Sequence, residues 1–198
     1  MAVSIEDIKR LRELTGVGMT DAKKALDEAN GDFDAALKEM RTKGLTKAEK
    51  RGEREARQGL VGTYNHDGRI GVIVEINSET DFVARNEIFA ELVKDVAMHI
   101  AASNPQYVNS DEIPTEERER VKDEFTQKAL AEGKPEDMIG KIIEGQIAKY
   151  FAERCLLDQP YIKNPDITVG DLVKDHNARL GENIVVRRFS RIAIGEAA

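Results

Sequence analysis

The sequence predicts an α+β fold: an N-terminal three-helix bundle, a linker helix, and a core with an antiparallel three-stranded sheet packed by helices. Three observations predict it. Apolar residues recur at helical spacing in three short runs before residue 45. Asp67-Gly68 lies between two runs rich in β-branched residues. Asn183 to Ile194 alternates like a strand.

Taken in order, Ser4 is placed to cap a first helix carrying Ile5, Ile8, Leu11 and Leu14, with Asp7 three residues on as in a capping box. Thr15-Gly16-Val17-Gly18 breaks it. A second helix, capped by Gly18 or Thr20, turns Ala22, Ala25, Leu26 and Ala29 to one side, and Asn30-Gly31 ends it. Asp32 caps a third, with Phe33, Ala36, Leu37 and Met40 inward. This arrangement resembles a ubiquitin-associated-type bundle. So small a core is expected to lean on a partner or on the rest of the chain.

Residues 46–58 read as a charged linker helix within the dense run Lys43 to Gln58. Lys47 and Arg51, Glu49 and Glu53, and Lys50 and Arg54 are like-charged pairs at i,i+4, which weakens such a helix in isolation. The balancing acids favour a linker over a nucleic-acid arm. The core then spans 59–198. Leu60 to His66 and Arg69 to Ile76 form a hairpin about Asp67-Gly68. Helices follow at Glu87–Ala102, Thr115–Glu132 and Glu136–Arg154, with Pro114 and Pro135 near helix starts. Tyr161-Ile162 suggests a short strand. Thr168 opens a last helix to Leu180, Gly181 ends it, and the final strand follows.

Composition excludes several classes. The net charge of −7 argues against nonspecific nucleic-acid binding. No run approaches a membrane span, residues 1–20 lack a signal-peptide pattern, and the single cysteine, Cys155, suits a reducing cytoplasm. No phosphate loop or dinucleotide fingerprint is present, and His66, His99 and His176 are scattered. The expectation is therefore no enzyme, no cofactor and no metal site. Cys155, beside Leu156-Leu157, reads as a small buried hydrophobe.

That leaves surfaces, and the corner at Ser78 to Asn86 is the most telling one. It joins a buried strand to an apolar helix, with Asp81-Phe82 at its tip. Local rules allow two readings. Ser78-x-x-Asp81 can be a capping box with Phe82 anchored in the core. Alternatively, a carboxylate beside a large ring at an exposed corner can wedge into a partner and compete for its polar contacts.

Four ordered motifs carry a resemblance that spans nearly the whole chain. They are Leu14-Thr15-Gly16-Val17-Gly18-Met19 running on to Lys23-Lys24-Ala25-Leu26; Thr80-Asp81-Phe82-Val83-Ala84-Arg85-Asn86; Met98-His99-Ile100-Ala101-Ala102; and Gly181-Glu182-Asn183-Ile184-Val185-Val186-Arg187-Arg188. Together they resemble bacterial elongation factor Ts, in its short form with a single core subdomain. The resemblance implies a guanine-nucleotide exchange factor that meets elongation factor Tu in its GDP-bound and nucleotide-free states and lets GTP load.

Carried over residue by residue, it implies that Arg12, Met19 and Lys23 dock on the partner's G domain. Thr20 stands where many members have a second methionine. Asp81 and Phe82, framed by Thr80 and Val83, would intrude near two partner histidines and disturb the magnesium and phosphate site. Leu180, Gly181 and Ile162 would supply further contacts. Short members pair, so a homodimer is expected, with the hairpin, the last strand and an Ile184-Val186 face as candidate surfaces. Ser78 and Ser190 occupy positions where some relatives have cysteine, so no disulfide between copies is expected. Two rivals remain open: an adaptor that binds through residues 1–45 alone, and a small enzyme with an unrecognised site.

Overall fold

The computed structural model describes residues 3–15, 17–133 and 136–196, with the side chains of 45–50 and 136–139 outside that description. Gly16 of the first break, Pro135, and the charge pattern of Lys47, Glu49 and Lys50 therefore lie outside the described residues. The bundle comprises α1 (Ile5–Thr15), α2 (Met19–Glu28) and α3 (Phe33–Arg51). Ile8, Leu11, Ala22, Ala25, Leu26 and Ala36 form its core. Ile5 and Leu14, the outer members of the apolar series of α1, are exposed, so its buried stripe is narrower than its apolar pattern. The third helix does not stop near residue 45. It continues to Arg51, and residues 52–57 then run without helix or strand into β1.

The core sheet has the order β1-β2-β5, all antiparallel: β1 (Gln58–His66), β2 (Ile70–Ser78) and β5 (Val185–Ala193). Asp67 and Gly68 both take positive φ (50° and 68°), as the tight β1–β2 connection demands. The helix α5 (Glu87–Ser103) lies across one face, where Phe89, Leu92, Val93, Val96 and Ile100 meet Val72, Val74, Ile76 and Val186. This approach is close: a Cβ at Gly62 would lie 2.3 Å from Val93 Cγ1. A helix α8 (Val169–Leu180) completes the layer through Val169 and Val173, and its outer side receives α3. The small bundle thus leans on the core.

Two features of β5 depart from simple alternation. A β-bulge lies opposite the Glu75/Ile76 step, where the register leaves Arg187 without a Cα partner. The extra residue reverses the phase of the strand, so Ile184 and Val186 face inward before it and Phe189 after it. Ile184 and Val186 are buried in their own core, which removes them as a surface for pairing. The open face of the sheet carries other residues: Val61 (62% exposed), Ile73 and Ile192 (75% exposed), around a Glu75–Arg188 ion pair of 2.7 Å. Arg188's hydrogen bond holds the Glu75 carboxyl below its ordinary range.

Beside this core, α6 (Thr115–Ala131) packs on α7 (Glu136–Ala152) over Val121, Phe151, Cys155, Ala129 and Ile143. Cys155 is buried there as expected. A short ribbon follows, β3 (Pro160–Tyr161) with β4 (Asn164–Thr168). β4 escaped the sequence reading because Asn164-Pro165-Asp166 is turn-like chemistry, tolerated here in a two-stranded ribbon that leaves both strands as edges. The capping box that opens α8 is formed: Thr168 Oγ1 accepts from Asp171 N–H while Thr168 N–H donates to the Asp171 carboxylate.

Candidate partner-binding site

The strand β2 delivers the chain to Ser78, which is fully buried and donates its hydroxyl proton to the carbonyl of Thr80 at 2.9 Å. Thr80 is extended (φ −125°, ψ 159°) and caps α4 (Asp81–Ala84), a single turn, by accepting from Val83 N–H at 3.4 Å. Within this turn Ala84 is buried and Val83 packs partly on the core, which turns the other two side chains outward. Asp81 reaches Arg85 at 2.9 Å. Phe82 is 80% exposed. The local reading of a core phenylalanine is therefore wrong. So is the Ser78–Asp81 capping box: the cap is Thr80, two residues further on. Asn86 then caps α5 through Ile88 N–H at 2.9 Å.

Leaving this ring in water forgoes about 1.5–3 kcal/mol of burial. Its backbone is held from a distance. Thr80 N–H and Oγ1–H donate to the two oxygens of Glu182, at 3.0 and 2.5 Å. Next to it, Glu79 accepts from Asn183 N–H at 2.7 Å and lies 3.5 Å from the Arg54 guanidinium. The Asn183 amide donates to the carbonyls of Gly52 (3.2 Å) and Arg54 (2.7 Å), and Arg51 donates to the Asn177 carbonyl at 3.3 Å. The corner, the segment after α3 and the α8–β5 turn are thus joined through polar side chains. Sequence reasoning missed Glu79, Arg54 and the roles of Glu182 and Asn183. Partners so far apart in the chain leave no local pattern to find.

The turn that supplies Glu182 also contains Leu180 and Gly181. Gly181 closes α8 in the left-handed region (φ 76°), and Leu180 is half-buried on the core. These two line a cleft against the bundle with Asp21, Lys24, Lys43 and Arg51. On the bundle itself Met19 begins α2, exposed, behind a Gly18 N-cap that offers no side-chain bond. Lys23 lies one turn on along the same side, also exposed, while Ala22, Ala25 and Leu26 face the core. Arg12, in the last turn of α1, is exposed as well.

Ile162 stands apart. It lies between β3 and β4, exposed, with its N–H donated to His99 Nδ1 at 3.2 Å. Since α5 rises about 1.5 Å per residue, His99 is roughly 18 Å along the axis from the corner end of α5. The other ring nitrogen, Nε2, is 2.9 Å from Gln159 Oε1, and the Gln159 amide donates onward to the Glu153 carbonyl at 2.7 Å. These bonds define a neutral ring, Nδ1 accepting and Nε2–H donating, and burial pulls the imidazole below its ordinary value. His99 is a buried, satisfied side chain that fixes the ribbon.

Among the described residues no group of three or more His, Cys, Asp or Glu is placed to hold a metal ion, and no helix is long and apolar enough to cross a membrane. With a large ring exposed on a braced turn and further exposed residues on the helical bundle, the geometry is that of a protein whose notable features lie on its surface. Comparison with known proteins gives the class its family. The family model for Elongation factor TS matches residues 11–196. The chain is 52% identical over 196 residues to elongation factor Ts of Alkaliphilus metalliredigens, covering 99% of this chain and 91% of the relative. It is 50% identical over 197 residues to that of Geobacter sulfurreducens (99% and 91%) and to that of Syntrophus aciditrophicus (99% and 98%). The chain belongs to the elongation factor Ts family, and this membership supports a nucleotide-exchange role in translation.

Proposed function

We propose that the chain binds elongation factor Tu·GDP in the cytoplasm and speeds GDP release by disturbing the magnesium and phosphate site, so that GTP can load. The observation that carries this reading is Phe82, a large ring left 80% exposed on a capped, braced turn. A GTPase holds its nucleotide through a phosphate loop and Mg²⁺, an arrangement sensitive to small displacements. The factor needs no nucleotide site of its own. It has to bind the nucleotide-free partner better than the GDP-bound one, and linkage then makes GDP and the factor weaken each other equally.

In this scheme residues 1–45 dock on the G domain through Arg12, Met19 and Lys23. The core, 59–198, presents Thr80, Asp81, Phe82 and Val83. Asp81 competes for donors near the magnesium shell and Phe82 holds the displaced conformation. Leu180, Gly181 and Ile162 widen the contact. The test is GDP release from elongation factor Tu with wild type, Asp81→Ala and Phe82→Ala. Phe82→Ala slows release more than it weakens complex formation; an unchanged release rate defeats the reading.

The same proposal includes a homodimer formed through the open sheet face. Val61, Ile73 and Ile192 are apolar there, and the Glu75–Arg188 pair adds a polar centre. Light scattering at micromolar concentration should give twice the chain mass, and Ile73→Lys should halve it. A monomer mass for the wild type refutes the pairing.

A further inference from the structure

We propose that Glu182 is the positioning residue of the corner: its carboxylate, reaching across from the α8–β5 turn, sets the angle at which Phe82 is presented. The proposal rests on the wedge reading above and deepens it. Phe82 is so exposed that side-chain packing within this chain cannot aim it. Its direction is inherited from the backbone of α4, and α4 is one turn long, too short to hold its own shape. Its geometry therefore depends on the Thr80 cap.

That cap depends in turn on Glu182. A threonine hydroxyl has one proton and a rotor free to spend it in several directions. Here the proton goes to Glu182 Oε1 at 2.5 Å, which leaves the oxygen's lone pairs for Val83 N–H. The second carboxylate oxygen takes Thr80 N–H at 3.0 Å, so both the rotor and the peptide plane of Thr80 are fixed by one side chain 102 residues away. A charged acceptor makes both bonds stronger than neutral ones. Glu182 does not touch the exposed ring. It acts through Thr80.

The neighbouring bonds keep Glu182 itself in place. Gly181 N–H closes α8 on the Asn177 carbonyl at 3.0 Å, and Asn183 N–H is taken by Glu79 at 2.7 Å. The residues on both sides of Glu182 are pinned, one to α8 and one to the strand end that feeds the corner. Because Asn183 also grips the carbonyls of Gly52 and Arg54, the same turn registers the corner against the segment leading from the bundle.

The test is stopped-flow release of fluorescent GDP from elongation factor Tu, using the full chain with Glu182→Ala, Glu182→Gln, Thr80→Val, Phe82→Ala and the double variant Glu182→Ala/Phe82→Ala. Loss of two charge-assisted bonds in Glu182→Ala should slow release at saturating factor by about tenfold, with the half-saturating concentration little changed. Glu182→Gln keeps one neutral acceptor oxygen for the two Thr80 donors, so it should fall between. In the Phe82→Ala background, Glu182→Ala should add almost nothing, because a positioning residue has no effect without the group it positions.

Wild-type release by Glu182→Ala, with Phe82→Ala slow, overturns the positioning role and leaves the wedge standing. Full additivity of the two variants also overturns it, since Glu182 would then act elsewhere. Wild-type release by Phe82→Ala overturns the underlying reading instead. If Glu182→Ala fails to fold by thermal melting, Glu182→Gln and Thr80→Val test the same two bonds, and wild-type release by both overturns the proposal.

Discussion

Under the proposed function the bundle and the corner both meet the partner, and the two are held in different ways. The bundle has an apolar core of its own, small but continuous, from Ile8 and Leu11 to Leu26 and Ala36, and it rests on α8 as a unit. The corner has almost none. Ala84 and Val83 touch the main core, while the rest of its shape comes from hydrogen bonds to Glu182 and to its own cap. Apolar packing is non-directional and tolerates small shifts; a pair of short bonds to one carboxylate fixes orientation. A surface that must only adhere can be built the first way. A group that must enter another protein's site at a set angle is better built the second way.

The largest separation between the two should come from Leu26→Ala. It removes a fully buried side chain from the bundle and should destabilise it by about 2–5 kcal/mol. Titration with the partner should show a raised half-saturating concentration and a retained saturated release rate. Phe82→Ala should do the reverse, slowing saturated release by roughly 10- to 150-fold if the burial free energy of the ring is used in displacement. Equal effects of both variants on both parameters would erase the distinction.

Next in size is Gly62→Ala, which leaves both contact regions untouched and disturbs only the scaffold between them. Its Cβ would lie 2.3 Å from Val93 Cγ1, and a stiff β-branched neighbour gives way poorly. Overpacking should cost about 1–3 kcal/mol in chemical denaturation, with little change in exchange by the molecules that remain folded.

His99 supplies a pH test of the Ile162 contact. Its folded-state value is lowered by burial, so below the ordinary 6.5 the unfolded chain binds a proton that the folded one resists. The stability contributed by the neutral ring is therefore present above pH 6.5 and is lost as pH falls, by at most about 1.4 kcal/mol per pH unit. His99→Gln should flatten that part of a stability–pH curve. The smallest effect is expected from Arg85→Ala. Its pair with Asp81 is exposed and one helical turn long, worth about 0.3–0.5 kcal/mol, and exchange should barely move in a stopped-flow comparison.

Much of this was legible in the chain itself. Asp67-Gly68 between β-branched runs gave the hairpin, and Thr168 with Asp171 gave the start of α8, because each signal is contained within a few residues. The alternation of the last strand was visible too, but not its change of phase between Val186, inward, and Ile192, outward. Its meaning, a bulge, needed the partner strand. Ile5 and Leu14 show the limit of periodicity, since a helix can display apolar residues on the flanks of its buried stripe. The corner divides most sharply. Residues 80–86 stood out by their composition, whereas the tie from Thr80 to Glu182 spans 102 residues, a contact that no local rule contains.

The position of β5 in the sheet has a consequence for how the molecule is made. The central strand β2 can pair with β1 as soon as the hairpin is synthesised, but its other edge stays open until residues 185–193 emerge. Glu182 and Asn183 arrive at the same moment. On the ribosome, therefore, the bundle's own apolar contacts are available early, while the corner stays unset until residues 182–193 have been translated. A nascent chain halted before Glu182 should hold a folded head and a slack tip.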